Sequence, residues 1–84
     1  MLVSRLRHVQ KLPVLSGHEV IKALSKIGFE PRRRKGSHVI LVKQTNEGKK
    51  AVVVPDHKEI DRGTLVEIIR QAGLKRDEFL RLLE

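Results

Sequence analysis

Four histidines are the side chains of this 84-residue sequence best suited to move protons near neutral pH, and their surroundings separate them. His8 lies in a mixed basic stretch, MLVSRLRHVQKL, and reads as a solvated side chain. His18 falls in the first turn of a predicted helix, where the dipole disfavours a cation. It reads as structural or exposed. His57 stands in a polar loop with Asp56, Lys58, Glu59 and Asp61. Three acids and one His at that spacing do not make a metal-ligand set, so loop polarity is the plainer reading, with His57 and Lys58 still able to touch a phosphate.

His38 has a different setting. It follows Arg32-Arg33-Arg34-Lys35-Gly36-Ser37, where a tight turn enters a predicted strand. Gly36 lets a nucleic-acid backbone come close, and the cations upstream suit phosphate. Positive neighbours make an imidazole harder to protonate, which keeps a base in its working form. RNA carries its own nucleophile, the 2′-hydroxyl. A site without a metal needs only to remove that proton, align the attack and stabilise the charge growing on phosphorus. His38 can serve the first need and Arg or Lys the third. Taken by itself, a His that opens a strand is more often engaged in packing or hydrogen bonding than in catalysis.

The elements that must position these residues can be read from the pattern. Ser16 and Glu19 form a capping box, and Leu15 and Val20 are placed for a hydrophobic staple. Val20, Ile21, Leu24 and Ile27 then continue at helical spacing. The spacing predicts a helix over residues 16–27, ended by Gly28, with Phe29 folding back on Leu24. Val39-Ile40-Leu41-Val42 and Ala51-Val52-Val53-Val54 read as a hairpin around the turn residues 44–48. Phe29 to Lys35 supplies a preceding strand, in which Pro31 asks for an edge position or a bulge. Asp61 can cap a second helix carrying Leu65, Ile68, Ile69 and Ala72, stopped at Gly73 with Leu74 folding back. Phe79, Leu80, Leu82 and Leu83 suggest a short third one. The expectation is an α+β fold of order α-β-β-β-α with a small extra C-terminal helix. Its three-stranded antiparallel sheet should carry helices on one face. Residues 1–11 read as a basic N-terminal arm and residues 12–84 as a single domain.

Composition narrows the partners. Lys and Arg number 18 against 10 Asp and Glu, a formal net charge of +8. Residues 1–55 hold twelve basic and three acidic side chains, residues 56–84 six and seven. Such an uneven spread suggests a face built for a polyanion, although charge also serves solubility. Phe29 and Phe79 are the only aromatic residues, too few for stacking unpaired bases, so phosphates, riboses and backbone shape would be the contacts. With no cysteine, disulfides and thiolate metal sites are excluded. No segment has the length of a membrane span, a secretory leader, or a basic amphipathic face with aromatic anchors. A cytoplasmic location without a membrane partner is therefore expected. DNA binding through the helices after Asp61 is disfavoured by Glu67, Asp77 and Glu78, where a recognition helix would present polar and basic groups.

Several motifs in order bring a family into view. They are Ser16-Gly17-x-Glu19-Val20, Gly28-Phe29, Lys35-Gly36-Ser37-His38, Val54-Pro55-x-His57-Lys58-Glu59, Gly63-Thr64-Leu65 and Ile68-Ile69-Arg70-Gln71-Ala72-Gly73-Leu74. From about Leu12 to about Leu83 the sequence resembles the HicA-like toxins of type II toxin–antitoxin systems. The resemblance implies a fold like the double-stranded-RNA-binding domain and a metal-independent ribonuclease that cleaves mRNA without a cofactor. It implies His38 as the catalytic histidine and a cognate HicB-like antitoxin that covers the site, through which DNA contact would be indirect. Many relatives carry a second His after the catalytic one, where this sequence has Val39. A second proton carrier would then be His57, a Lys or water. Arg32, Arg33, Arg34, Lys35, Gly36, Ser37, His57 and Lys58 are the expected RNA contacts. A non-catalytic RNA-binding module using the same basic face is the competing expectation.

Overall fold

The computed structural model describes residues 11–84. Apart from Lys11, the expected basic arm, with His8 in it, lies outside the described residues. The elements follow the order α1 (Gly17–Ser25), β1 (Glu30–Lys35), β2 (His38–Thr45), β3 (Gly48–Pro55), α2 (Arg62–Gln71) and α3 (Arg76–Leu82). This is an α+β fold of α-β-β-β-α order, consistent with a double-stranded-RNA-binding-domain-like architecture.

Local chemistry sets the helix ends. The Ser16 hydroxyl accepts from the Glu19 amide while the Glu19 carboxylate accepts from the Ser16 amide, at 3.1 and 2.9 Å, completing the expected capping box. The helix is shorter than its apolar spacing suggests. Ser16 is extended, and Lys26 and Ile27 turn their amides onto Ala23 and Leu24, three residues back. That tightened last turn ends α1 before Gly28, and the Phe29 amide returns to the Leu24 carbonyl. Asp61 caps α2 by accepting from the Thr64 amide and hydroxyl, and those bonds hold its carboxyl below the ordinary range. Leu74 closes α2 by donating to the Ile69 carbonyl.

The sheet has strand order β1-β2-β3 and is antiparallel throughout. Its register breaks between Pro31 and Arg33, a bulge at the edge strand where a proline cannot donate to the ladder. Val39, Leu41, Val52 and Val54 turn one face toward α1 and α2, and all are buried. Val20, Leu24, Phe29, Leu65, Ile68 and Phe79 complete the core. Both phenylalanines are therefore spent on packing. Alternate positions, among them His38, Ile40, Val42, Ala51 and Val53, face away from the helices.

Candidate nucleic-acid interface

The hairpin between β1 and β2 presents the key turn. Lys35 and His38 are the last cross-strand pair, and Gly36-Ser37 is a two-residue connection. Gly36 has φ of +61°. Tight hairpin turns favour a positive φ at their first central residue, and glycine reaches it without strain. A Cβ at Gly36 would have no atom within 4 Å, so the space beside this glycine is open. His38 follows it and is exposed. Its cross-strand neighbours are Lys35 on β1 and Pro55 on β3. The imidazole is thus presented to solvent beside the positive turn.

The bulge divides the arginine run between the two sides of the sheet. Arg33 pairs with Ile40 and Lys35 with His38, so both share the open face with the imidazole. Arg34 pairs with the buried Val39 and belongs to the helix-covered side. Its guanidinium donates to the Asp56 carboxylate at 3.0 Å. Arg32 sits at the bulge, with Glu30 at 3.7 Å. The side chains of Arg33 and Lys35 make no ion pair among the described residues. The sequence expectation treated the four cations as one group; the bulge separates them into two available and two engaged.

The loop after β3 is tied to this turn. The Asp56 amide donates to the Ser37 carbonyl at 2.6 Å, and the Gly17 amide donates to the His57 carbonyl at 2.9 Å. Three segments therefore meet at one end of the sheet: the start of α1, the β1–β2 turn, and the loop carrying Asp56, His57 and Lys58. Both His57 and Lys58 are exposed. His18, in the first turn of α1, is exposed as well. A Cβ at residue 17 would run into the Pro55 carbonyl oxygen and lie 2.9 Å from the Asp56 Cα. Only glycine allows this approach. Sequence reasoning named Gly17 only within a motif and Asp56 only as loop polarity, and gave neither a positioning role. A signal existed for Gly17, because glycine is a poor helix former at the first helical position and asks for a reason. None existed for Asp56, whose partners lie on other strands.

The described residues contain no group of three or more His, Asp or Glu that could hold a metal ion, and no helix among them is long and apolar enough to cross a membrane. A family model for the HicA toxin of bacterial toxin–antitoxin systems matches residues 17–74, more than half of the chain. The chain belongs to the HicA toxin family. It is the toxin side of a toxin–antitoxin pair, and the family implies a cognate antitoxin as partner. No curated protein matches the sequence. The matched span runs from Gly17 at the start of α1 to Leu74 after α2, and so contains all three segments that meet at the turn. Position 39 lies in the core of this chain as Val39, 5% exposed. A side chain there faces the helices, away from His38.

Proposed function

We propose that this HicA toxin is a metal-independent endoribonuclease that cleaves mRNA in the cytoplasm, with His38 as general base and then general acid. In the first half of the reaction the imidazole takes the proton of a ribose 2′-hydroxyl as that oxygen attacks the adjacent phosphorus. In the second half the imidazolium returns the proton to the departing 5′-oxygen as its bond to phosphorus breaks. The products are a 2′,3′-cyclic phosphate and a 5′-hydroxyl, and atoms balance without any co-reactant. In an in-line attack the 2′-oxygen and the departing 5′-oxygen stand on opposite sides of phosphorus, so where the His38 ring does not reach both, His57, a Lys or water carries the second proton.

The observation that carries this reading is the exposed His38 ring beside Lys35 and Gly36, on the face that also holds Arg33. Lys35 and Arg33 supply positive charge for the pentavalent phosphorus. Gly36 admits the backbone, Ser37 orients the turn, and His57 with Lys58 extends the contact along the RNA. Arg34 acts at one remove, by holding Asp56, and Arg32 contributes long-range field. The test is cleavage of RNA by purified protein in EDTA. Wild-type protein should produce fragments, and His38→Ala should lose about 10²–10⁴-fold in rate while keeping its fold and its salt-sensitive RNA binding. RNA that is bound but left intact by wild-type protein would establish the non-catalytic binding module instead.

A further inference from the structure

Positive charge gathers at both ends of the sheet, and the end far from His38 has the less ordinary arrangement. Lys43 and Lys50 stand directly opposite each other on β2 and β3, and Lys49 comes next, opposite Gln44. Like charges that face each other across a strand pair destabilise it. Part of the compensation lies in the helix layer. The Lys43 ammonium stands 5.7 Å from the centre of the Phe29 ring. The Lys50 ammonium lies against Gly73 just past α2, where a cation meets the negative end of the helix dipole. Lysines also blunt the free edge of a sheet, and β3 is an edge strand. Neither task requires the absence of acids. Yet Lys49 and Lys50 are exposed, and their side chains make no hydrogen bond or ion pair among the described residues. Glu47, in the turn just before them, pairs with neither. Lys49 also shares a face with His38, because the pairs His38–Pro55, Ile40–Val53, Val42–Ala51 and Gln44–Lys49 alternate along the open side.

We propose that Lys49 and Lys50 form a second phosphate subsite for the RNA that His38 cuts, so that the chain favours strands long enough to span the sheet. The assignment rests on the ribonuclease reading given above. Lys49 precedes Pro55, the partner of His38, by six residues on β3, which places the two ends roughly 20 Å apart. At about 3.4 Å per nucleotide of a stacked strand, that distance takes up about six nucleotides. Lys49 and Lys50 point to opposite sides of their strand. A phosphate chain that leaves the open face over the β3 edge therefore meets both ammonium groups. Between the two ends lie Ile40, Val42, Ala51 and Val53. They offer bases no ring to stack on and no polar group to read. The second subsite accordingly answers to length and charge, not to base sequence.

The experiment measures the affinity of the full-length chain for 2′-O-methyl RNA, which lacks the attacking hydroxyl and stays intact. Strands of about four and about twelve nucleotides, below and above the span, are compared from about 50 to about 200 mM salt. The proteins are wild type, the double variant Lys49→Gln/Lys50→Gln and, as a control that removes the same charge from α1 and α3, Lys22→Gln/Arg81→Gln. Wild-type protein should bind the longer strand at least about tenfold tighter than the shorter one. Lys49→Gln/Lys50→Gln should lose most of that gain and lower the slope of log affinity against log salt by roughly one to two, the share of two phosphate contacts. The control should keep both the gain and the slope. A wild-type affinity that does not rise with length would overturn the proposal. So would an equal loss in the control, which would reduce the effect to net charge. An unchanged slope in Lys49→Gln/Lys50→Gln would overturn it as well, and a lowered melting temperature beside that result would leave the two lysines to the helix end and the sheet edge. Cleavage of unmodified RNA by wild-type protein is read separately, so an inactive toxin and a misplaced subsite give different results.

Discussion

The two faces of the sheet are built from the same β-branched residues and meet different fates. On the covered face Val39, Leu41, Val52 and Val54 are closed off by α1 and α2. On the open face Ile40, Val42, Ala51 and Val53 stay accessible, in line with His38, Arg33 and Lys35. The covered face holds the fold together. The open face adds less to stability, because its side chains are only partly withdrawn from water. The comparison teaches that stability and function are separated by one residue of register: a shift by one would exchange the two sets.

Substitution can break the comparison most forcefully in the core. Leu41→Ala should destabilise the protein by about 2–5 kcal/mol, whereas Ile40→Ala, one residue away and half-buried, should fall well below that range. Urea denaturation of the pair measures the contrast, and equal losses would mean that the faces are not distinct. Next in size is Gly17→Ala. The new methyl group meets the backbone at Pro55 and Asp56, which cannot give way as a flexible side chain can, so a cost of roughly 1–3 kcal/mol is expected. Because the same backbone holds the β1–β2 turn, RNA cleavage at a temperature where the variant remains folded should fall as well. A folded Gly17→Ala protein with unchanged cleavage would show that the start of α1 does not position the turn.

The smallest effect is expected at Asp56. Its ion pair with Arg34 is exposed, with 56% and 41% of the two side chains accessible, and contributes at most about 1 kcal/mol. Asp56→Asn should therefore leave the denaturation midpoint nearly unchanged. It should lower kcat by roughly threefold to tenfold with little change in KM, inside the hundredfold range of a 1 Å misplacement. Steady-state kinetics on a short RNA separates this from simple loss of binding, which would raise KM alone.

What the sequence discloses and what it conceals follow the range of the interactions. The capping box at Ser16 and Glu19, the Asp61 cap, the turn at Gly36 and the irregularity at Pro31 are local, and each is visible as a short motif. The strands are longer than the apolar runs that reveal them, since β2 extends to Thr45 and β3 begins at Gly48, where polar pairs continue the ladder at the solvent end. α1 ends two residues before its apolar spacing does, because Ile27 is apolar yet belongs to the tightened turn. The position of His38 on an exposed turn was legible from Lys35-Gly36-Ser37-His38. The division of Arg32, Arg33, Arg34 and Lys35 was not, because a bulge resets the alternation by which faces are read. Gly17 and Asp56 take their meaning from strands distant in the chain, and no local pattern records such a meeting.

The central claim is that the attacking group belongs to the RNA and loses its proton to His38. The most direct measurement uses one short RNA that the wild-type protein cuts, resynthesised with a single 2′-O-methyl group on the ribose 5′ to the cleaved phosphate. The account predicts that the unmodified strand yields a 2′,3′-cyclic phosphate end in EDTA and that the methylated strand is bound but not cut at that position. Cleavage of the methylated strand at the same bond and rate would contradict it.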